Sequence, residues 1–318
     1  MATFEVPCYK FLILLKHGSS CFLGDKTMQQ PYYIPLNLEA NEANRIYWNG
    51  QYFTVELVLV ISKQIETKDE VNKIIEECPL VLKLTPFKNQ FRAKMLASLN
   101  GEESTEKAKL IGLTLNFNIK NLTLLNILDC RELQTLLDGA GNGNINTEAS
   151  QTLTLTESEK ADFKVAFEKL ANGNLKPHLR QPFLSYNSEL ADSNWRDNIP
   201  ARQKKAALIP FQAIFPYSGA IERFHDKQVF AVDDLYCVNP DCDCNEVTCV
   251  VLTFDHKSGK EITHGGFKYH FEKKTFKNIP NFPTQFNAQE WFKQFNKTSP
   301  FQLSHLFESR YHFLRNDK

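Results

Sequence analysis

The run Tyr236-Cys-Val-Asn-Pro-Asp-Cys-Asp-Cys-Asn-Glu-Val-Thr-Cys-Val-Val-Leu-Thr-Phe254 places Cys237, Cys242, Cys244 and Cys249 within thirteen residues, then continues as an apolar, β-branched stretch. Half of the chain's eight cysteines are here. Thiolates bind zinc at about 2.3 Å in tetrahedral sets and need short, turning backbone between them. Asn239-Pro240-Asp241 supplies such a turn, because proline presets φ and asparagine and aspartate favour local side-chain bonds to the backbone. Cys242 and Cys244 lie two apart, so in an extended stretch both sulfurs leave the same face. The spacing C-x4-C-x-C-x4-C is not the C-x2-C pair of ribbons and fingers, and the metal reading rests on cysteine density. Four ligands are expected: Cys237, Cys242, Cys244 and Cys249, with zinc as the ion.

The fourth ligand has rivals. Val247 to Phe254 has the content of a strand, where a cysteine is often a small buried hydrophobe. His225, His256, His264 and His270 flank the run and can reach it through sheet pairing. A disulfide framework is the other use of clustered cysteines. It would spread them along a short secreted chain behind a signal peptide. The start, Met1 to Lys16, has a short apolar stretch with no basic region ahead of it and no cleavage site, and reads as a strand. No run approaches the about 20 apolar residues of a membrane helix, so a soluble, cytoplasmic protein is expected.

Working outward, the chain reads as α+β in parts. Its 318 residues suit two domains at about 100 to 200 residues each. An N-terminal α+β domain is expected over 1–138, with strands at Phe11–Leu15, Tyr52–Ile61, Leu80–Leu84 and Leu110–Ile119. Helices are expected at Glu66–Cys78, capped by Thr67 with Glu70, and at Asn89–Leu99. Residues 139–205 read as linker, helix and irregular connection. The glycine-rich Asp138 to Asn146 lacks the strand-then-helix frame of a phosphate cradle. Thr156-Glu-Ser-Glu159 is a capping box opening a helix to Leu170, and Lys176 to Lys205 reads as an exposed connection or binding loop. The third part, 206–318, is expected to carry the cysteine knuckle, strands at Val247–Phe254 and Gly266–Phe276, and helices at Ala288–Phe295 and Phe301–Leu314.

Charge constrains partners. Lys plus Arg and Asp plus Glu number 37 each, which argues against a protein devoted to duplex phosphates. From His256 onward, eleven Lys/Arg against five Asp/Glu are interleaved with Phe267, Tyr269, Phe271, Phe276, Phe282, Phe286, Trp291, Phe292 and Phe295. Such a basic, aromatic region is able to stack and clamp single-stranded nucleic acid. The bland alternative is a small α+β core with solvated lysines.

Over Gln228 to Asn316 the chain resembles a group of uncharacterised bacterial proteins of SEC-C-associated type. They carry a Tyr-Cys-x-Asn-Pro-x-Cys-x-Cys run followed by two strands and a closing pair of helices. The matching residues are Tyr236, Cys237, Asn239, Pro240, Cys242 and Cys244, with Asp233-Asp234 ahead and Trp291 and Arg310-Tyr311-His312 in the closing helices. The resemblance implies metal binding by Cys237, Cys242 and Cys244 and brings no activity with it. The terminal cysteine motif of the longer relatives is absent here.

Two classes of function follow. In one, a closed thiolate site staples a small domain that binds a protein or single-stranded nucleic acid. In the other, three thiolates and a water do hydrolytic or deaminase-like chemistry, with Asp241, Asp243 or Glu246 as the nearby acid. The His-x-Glu and Pro-Cys-x-x-Cys pattern of zinc deaminases is missing. A cysteine nucleophile among Cys8, Cys21, Cys78 and Cys130, paired with a histidine such as His178, is a further option. The dipeptide His225-Asp226 alone carries no signal for a phosphohydrolase. The expectation is an interaction module with structural zinc.

Overall fold

Apolar residues at alternating positions fold much of the chain into long antiparallel strands. The computed structural model describes residues 31–36, 44–87, 108–137, 145–199, 208–225, 228–239, 242–255, 260–280 and 286–315. The described chain divides into two compact units, one of 31–62 with 73–179 and one of 63–72 with 180–315. Both are mixed α+β, as expected.

In the first unit, β1 (Tyr32–Leu36), β2 (Arg45–Trp48) and β3 (Gln51–Ile61) precede helix α1 (Lys68–Glu76), within which the chain passes between units. Then come β4 (Cys78–Pro86), β5 (Ala108–Asn118), β6 (Thr123–Leu137) and β7 (Ile145–Thr152). The sheet order is β1-β3-β4-β5-β6-β7, with β2 also on β3, and every pairing is antiparallel. Asn49 and Gly50, at φ 48° and 75°, form the two-residue turn between β2 and β3. Positive φ at both positions is what a type I′ hairpin turn demands.

Helix α2 (Glu157–Asn172) covers this sheet. Thr156 Oγ1 accepts from Glu159 N–H at 3.2 Å, and Glu159 Oε2 accepts from Thr156 N–H at 2.8 Å, so the capping box forms as read. Phe163 and Phe167 lie one helical turn apart, stacked at 5.7 Å, and meet Trp48 at 5.3 Å and Phe117 at 5.5 Å. Each such buried ring contributes about 2 kcal/mol. Short helix α3 (Lys176–Arg180) follows.

The expected strands at Tyr52, Leu80 and Leu110 are β3, β4 and β5. The expected strand at Phe11 and helix at Asn89 lie outside the described residues. The expected boundary at 138/139 falls between β6 and β7, neighbours in one sheet.

One expectation is corrected outright. Residues 176–199 are not an exposed connection: Leu179 on α3 is buried in the first unit, and Phe183, Leu184, Tyr186, Leu190 and Trp195 are buried in the second, on three 3₁₀ turns and the turn at 184–186. Turns this short present apolar residues without a helical or strand period, so no pattern marks them.

After these turns come β8 (Ile209–Pro210), α4 (Phe211–Ile214), β9 (Ile221–His225), β10 (Gln228–Tyr236), β11 (Glu246–Asp255), β12 (Lys260–His270) and β13 (Thr275–Asn278). The unit closes with α5 (Ala288–Thr298) and α6 (Leu303–Arg315). The sheet runs β13-β12-β11-β10-β8, with β9 also on β10. On β10 the period of two buries Phe230, Val232, Asp234 and Tyr236. Opposite Asp234 stands Cys249 on β11, and opposite Cys249 stands Phe267 on β12. Strand β12 begins six residues before the expected start, and a bulge places His264 opposite no partner. The segment 63–67 is stitched into this unit: Ile65 N–H donates to Pro300 O at 2.8 Å, and Gln302 N–H donates to Ile65 O at 3.0 Å.

Candidate metal centre

Strand β10 delivers the cysteine run from a rigid end. Tyr236 is fully buried, and its hydroxyl donates to Asp234 Oδ2 at 2.6 Å. Arg310 of α6 donates to the same oxygen at 2.7 Å, and its guanidinium lies 4.4 Å above the Phe211 ring. Arg310 also reaches the carbonyls of Ser218 at 3.3 Å and Gly219 at 3.4 Å. This buried ion pair ties helix α6 to the sheet beside the knuckle.

Past Tyr236 the chain turns. Cys242 N–H donates to Asn239 O at 3.2 Å, and residues 242–245 lead into β11 without regular secondary structure. The Sγ atoms of Cys237, Cys242 and Cys244 all lie within 4.8 Å of one another. Thiolates at about 2.3 Å from a tetrahedral ion stand about 3.8 Å apart, so small side-chain adjustments would close the set around such an ion. The donor set, three soft sulfurs and no oxygen, fits zinc rather than magnesium or calcium. Cys237 is buried, whereas Cys242 and Cys244 are half-buried. The cluster therefore has a covered side and a solvent side.

Cys242 and Cys244 act on each other's proton affinity. Cys242 is held below the ordinary thiol value by hydrogen bonds from the Cys244 side chain and backbone and from Cys237, helped by the Arg315 charge. The Cys244 N–H to Cys242 Sγ distance is 3.4 Å. Burial, followed by the bonds to Cys242 and Cys237, pushes Cys244 up to about 12. A divalent ion bound by these sulfurs would replace the thiol protons.

Two side chains from α6 brace the run. The Tyr311 hydroxyl donates to the Cys244 carbonyl, and Arg315 donates to the Tyr311 oxygen at 2.6 Å while lying 5.1 Å from its ring. Phe271 packs on Tyr311 at 5.2 Å, and its N–H donates to Asn245 O at 3.0 Å. The resemblance marked Tyr311 without a role; Arg315 carried no sequence signal, since a terminal helical arginine is commonly solvated.

Cys249 does not join the three. It is fully buried within β11, and burial, then the Asp234 charge, raises its thiol well above the ordinary value. Among the described residues no histidine or carboxylate joins them either. His264 sits in the β12 bulge with its Nε2 2.8 Å from the Thr253 hydroxyl, His270 Nδ1 accepts from Lys273 N–H at 3.4 Å, and His225 ends β9. His256, Asp226 and Asp241 lie outside the described residues. Glu246 is ion-paired with Lys268, and Asp243 is exposed.

Cys78 and Cys130 sit in environments that disfavour the thiolate. Burial raises Cys78 far above the ordinary thiol value and Cys130 to about 11, the reverse of an activated nucleophile. Cys8 and Cys21 lie outside the described residues. A cleft of about 590 Å³ in the second unit is lined by Ser185, Tyr186, Asp192, His305, Ser309 and His312 among others, and contains no cysteine. Among the described residues, no helix is long and apolar enough to cross a membrane.

No family model, curated protein or solved structure matches this chain.

Proposed function

We propose that this is a zinc protein in which Cys237, Cys242 and Cys244 hold one ion that staples the turn between β10 and β11, and that the stapled unit serves as a module for binding a protein partner. The observation that carries the reading is the convergence of three sulfurs within 4.8 Å. An ion there would cross-link the segment between β10 and β11, and its binding free energy would add to folding.

Binding is preferred over hydrolysis because no carboxylate accompanies the sulfurs among the described residues, and Glu246 is engaged by Lys268. A protein partner is preferred over single-stranded nucleic acid because Phe267, Tyr269, Phe271, Phe286 and Phe295 are buried. Stacking on bases needs exposed rings.

The test is metal content by elemental mass spectrometry on untagged protein. About one zinc per chain is expected, lost in a Cys242→Ser, Cys244→Ser double variant and retained in Cys249→Ser. Metal-free wild-type protein would sink the proposal.

A further inference from the structure

We infer that the three-cysteine centre is a redox-sensitive clasp: a peroxide joins Cys242 to Cys237 or Cys244 as a disulfide and expels the ion, and a reductant restores the site. The inference rests on the metal reading above and names its regulation. All three sulfurs lie within 4.8 Å of one another, and a disulfide needs two of them at about 2.05 Å. Residues 237–239 and 242–245 lie outside the paired strands, so closing that gap asks for side-chain rotation and small shifts there. Cys242 accepts hydrogen bonds from the side chains of both neighbours, which makes it the shared member of either bridge.

Access makes the reaction selective. Cys242 and Cys244 are half-buried, while Cys78, Cys130 and Cys249 are at most 5 % exposed. Oxidation follows thiolate character and exposure, and an ion keeps its sulfur ligands in the thiolate form. Among the described cysteines the cluster therefore reacts first.

The electrons balance with hydrogen peroxide as the oxidant. The Cys242 thiolate attacks one peroxide oxygen, the O–O bond breaks, and the leaving hydroxide takes a solvent proton to become water. The neighbouring thiolate then attacks the sulfenic acid so formed. The S–S bond forms, the S–O bond breaks, and hydroxide leaves with another solvent proton as a second water. Two sulfurs have lost one electron each, and peroxide has taken both. With two thiolate ligands consumed, one sulfur of the trio is left to the ion, which dissociates.

The zinc-loaded, full-length protein is treated with hydrogen peroxide, and released zinc is read with a chromogenic chelator against an untreated sample. Cysteines are mapped by differential alkylation and tandem mass spectrometry. About one disulfide per released zinc is expected, always including Cys242, with Cys249 still a thiol and the metal rebound after treatment with a phosphine. Cys249→Ser should release zinc at the wild-type rate.

Zinc that stays bound while peroxide oxidises free cysteine in the same solution overturns the inference and leaves the metal reading intact. Zinc lost with sulfinic acid in place of a disulfide also overturns it, because a phosphine does not reverse that product. A disulfide from Cys242 to a cysteine outside the trio overturns the assignment of the clasp. Protein that carries no zinc before oxidation removes the metal reading and, with it, the claim of expulsion.

Discussion

Asp234 occupies a position that strand period assigns to an apolar side chain. It faces inward between Val232 and Tyr236, is 1 % exposed, and accepts from both Tyr236 and Arg310. Removing one partner of such a pair strands the other without solvent, which costs about 3 to 5 kcal/mol. Asp234→Ala should therefore lose stability on that scale in urea unfolding at neutral pH. The double change Asp234→Leu, Arg310→Leu should lose less than the sum of the singles. The anomaly was legible from the alternation on β10. Its resolution was not, since Arg310 lies 76 residues away.

His178 shows the same logic with a proton. It is buried, and burial lowers its pKa from 6.5 to about 4. The unfolded chain takes up the proton first, so the full stability is present above about pH 6.5 and is lost as pH falls toward 4. Unfolding free energy should drop by roughly 3 kcal/mol across that window, and His178→Gln should flatten the profile. A sign opposite to this would mean the buried imidazole is charged in the native state.

Elements formed where their signals were local. The boxes Thr67 with Glu70 and Thr156 with Glu159 span three residues each, and both close in the structure. Thr156→Ala should cost about 1 kcal/mol, readable as a lower thermal midpoint. Where an element's signal depended on a distant neighbour, reading failed. The stretch His256 to Gly265 looks like turn chemistry, yet β12 starts at Lys260 and Gly265 lies within it, packed against Phe286. A β-carbon at Gly265 would lie 2.1 Å from the Phe286 ring. Gly265→Ala should destabilise the protein by about 1 to 3 kcal/mol, and the loss should shrink when Phe286→Leu is added. Equal losses in both backgrounds would show that the glycine serves backbone geometry instead.

At the scale of the whole molecule, the three tryptophans divide between the units. Trp48 belongs to the first, Trp195 and Trp291 to the second with the cysteines. On the proposed function, metal would bind the folded knuckle in preference to the unfolded chain, so its removal would lower stability by mass action where it binds. A strong chelator should lower the thermal transition seen by Trp195 and Trp291 by the order of 10 °C. In a Trp195→Phe, Trp291→Phe background, the Trp48 signal should move much less. A uniform shift of both signals would refute a staple local to one unit.

Sequence alone determined the α+β class, the positions of β3, β4, β5 and β11, the capped helices α1 and α2, the closing helices, and the three clustered cysteines. All of these depend on period, capping or spacing within a few residues, where backbone geometry dictates what neighbours can do. Tertiary structure alone decided that Cys249 is spent in the sheet opposite Asp234 and Phe267, that residues 176–199 are core, and that Tyr311 and Arg315 brace the cysteine run. Those outcomes depend on which distant segments meet. Strand register and helix docking select these meetings through burial of the whole surface, and no short window of sequence encodes that choice.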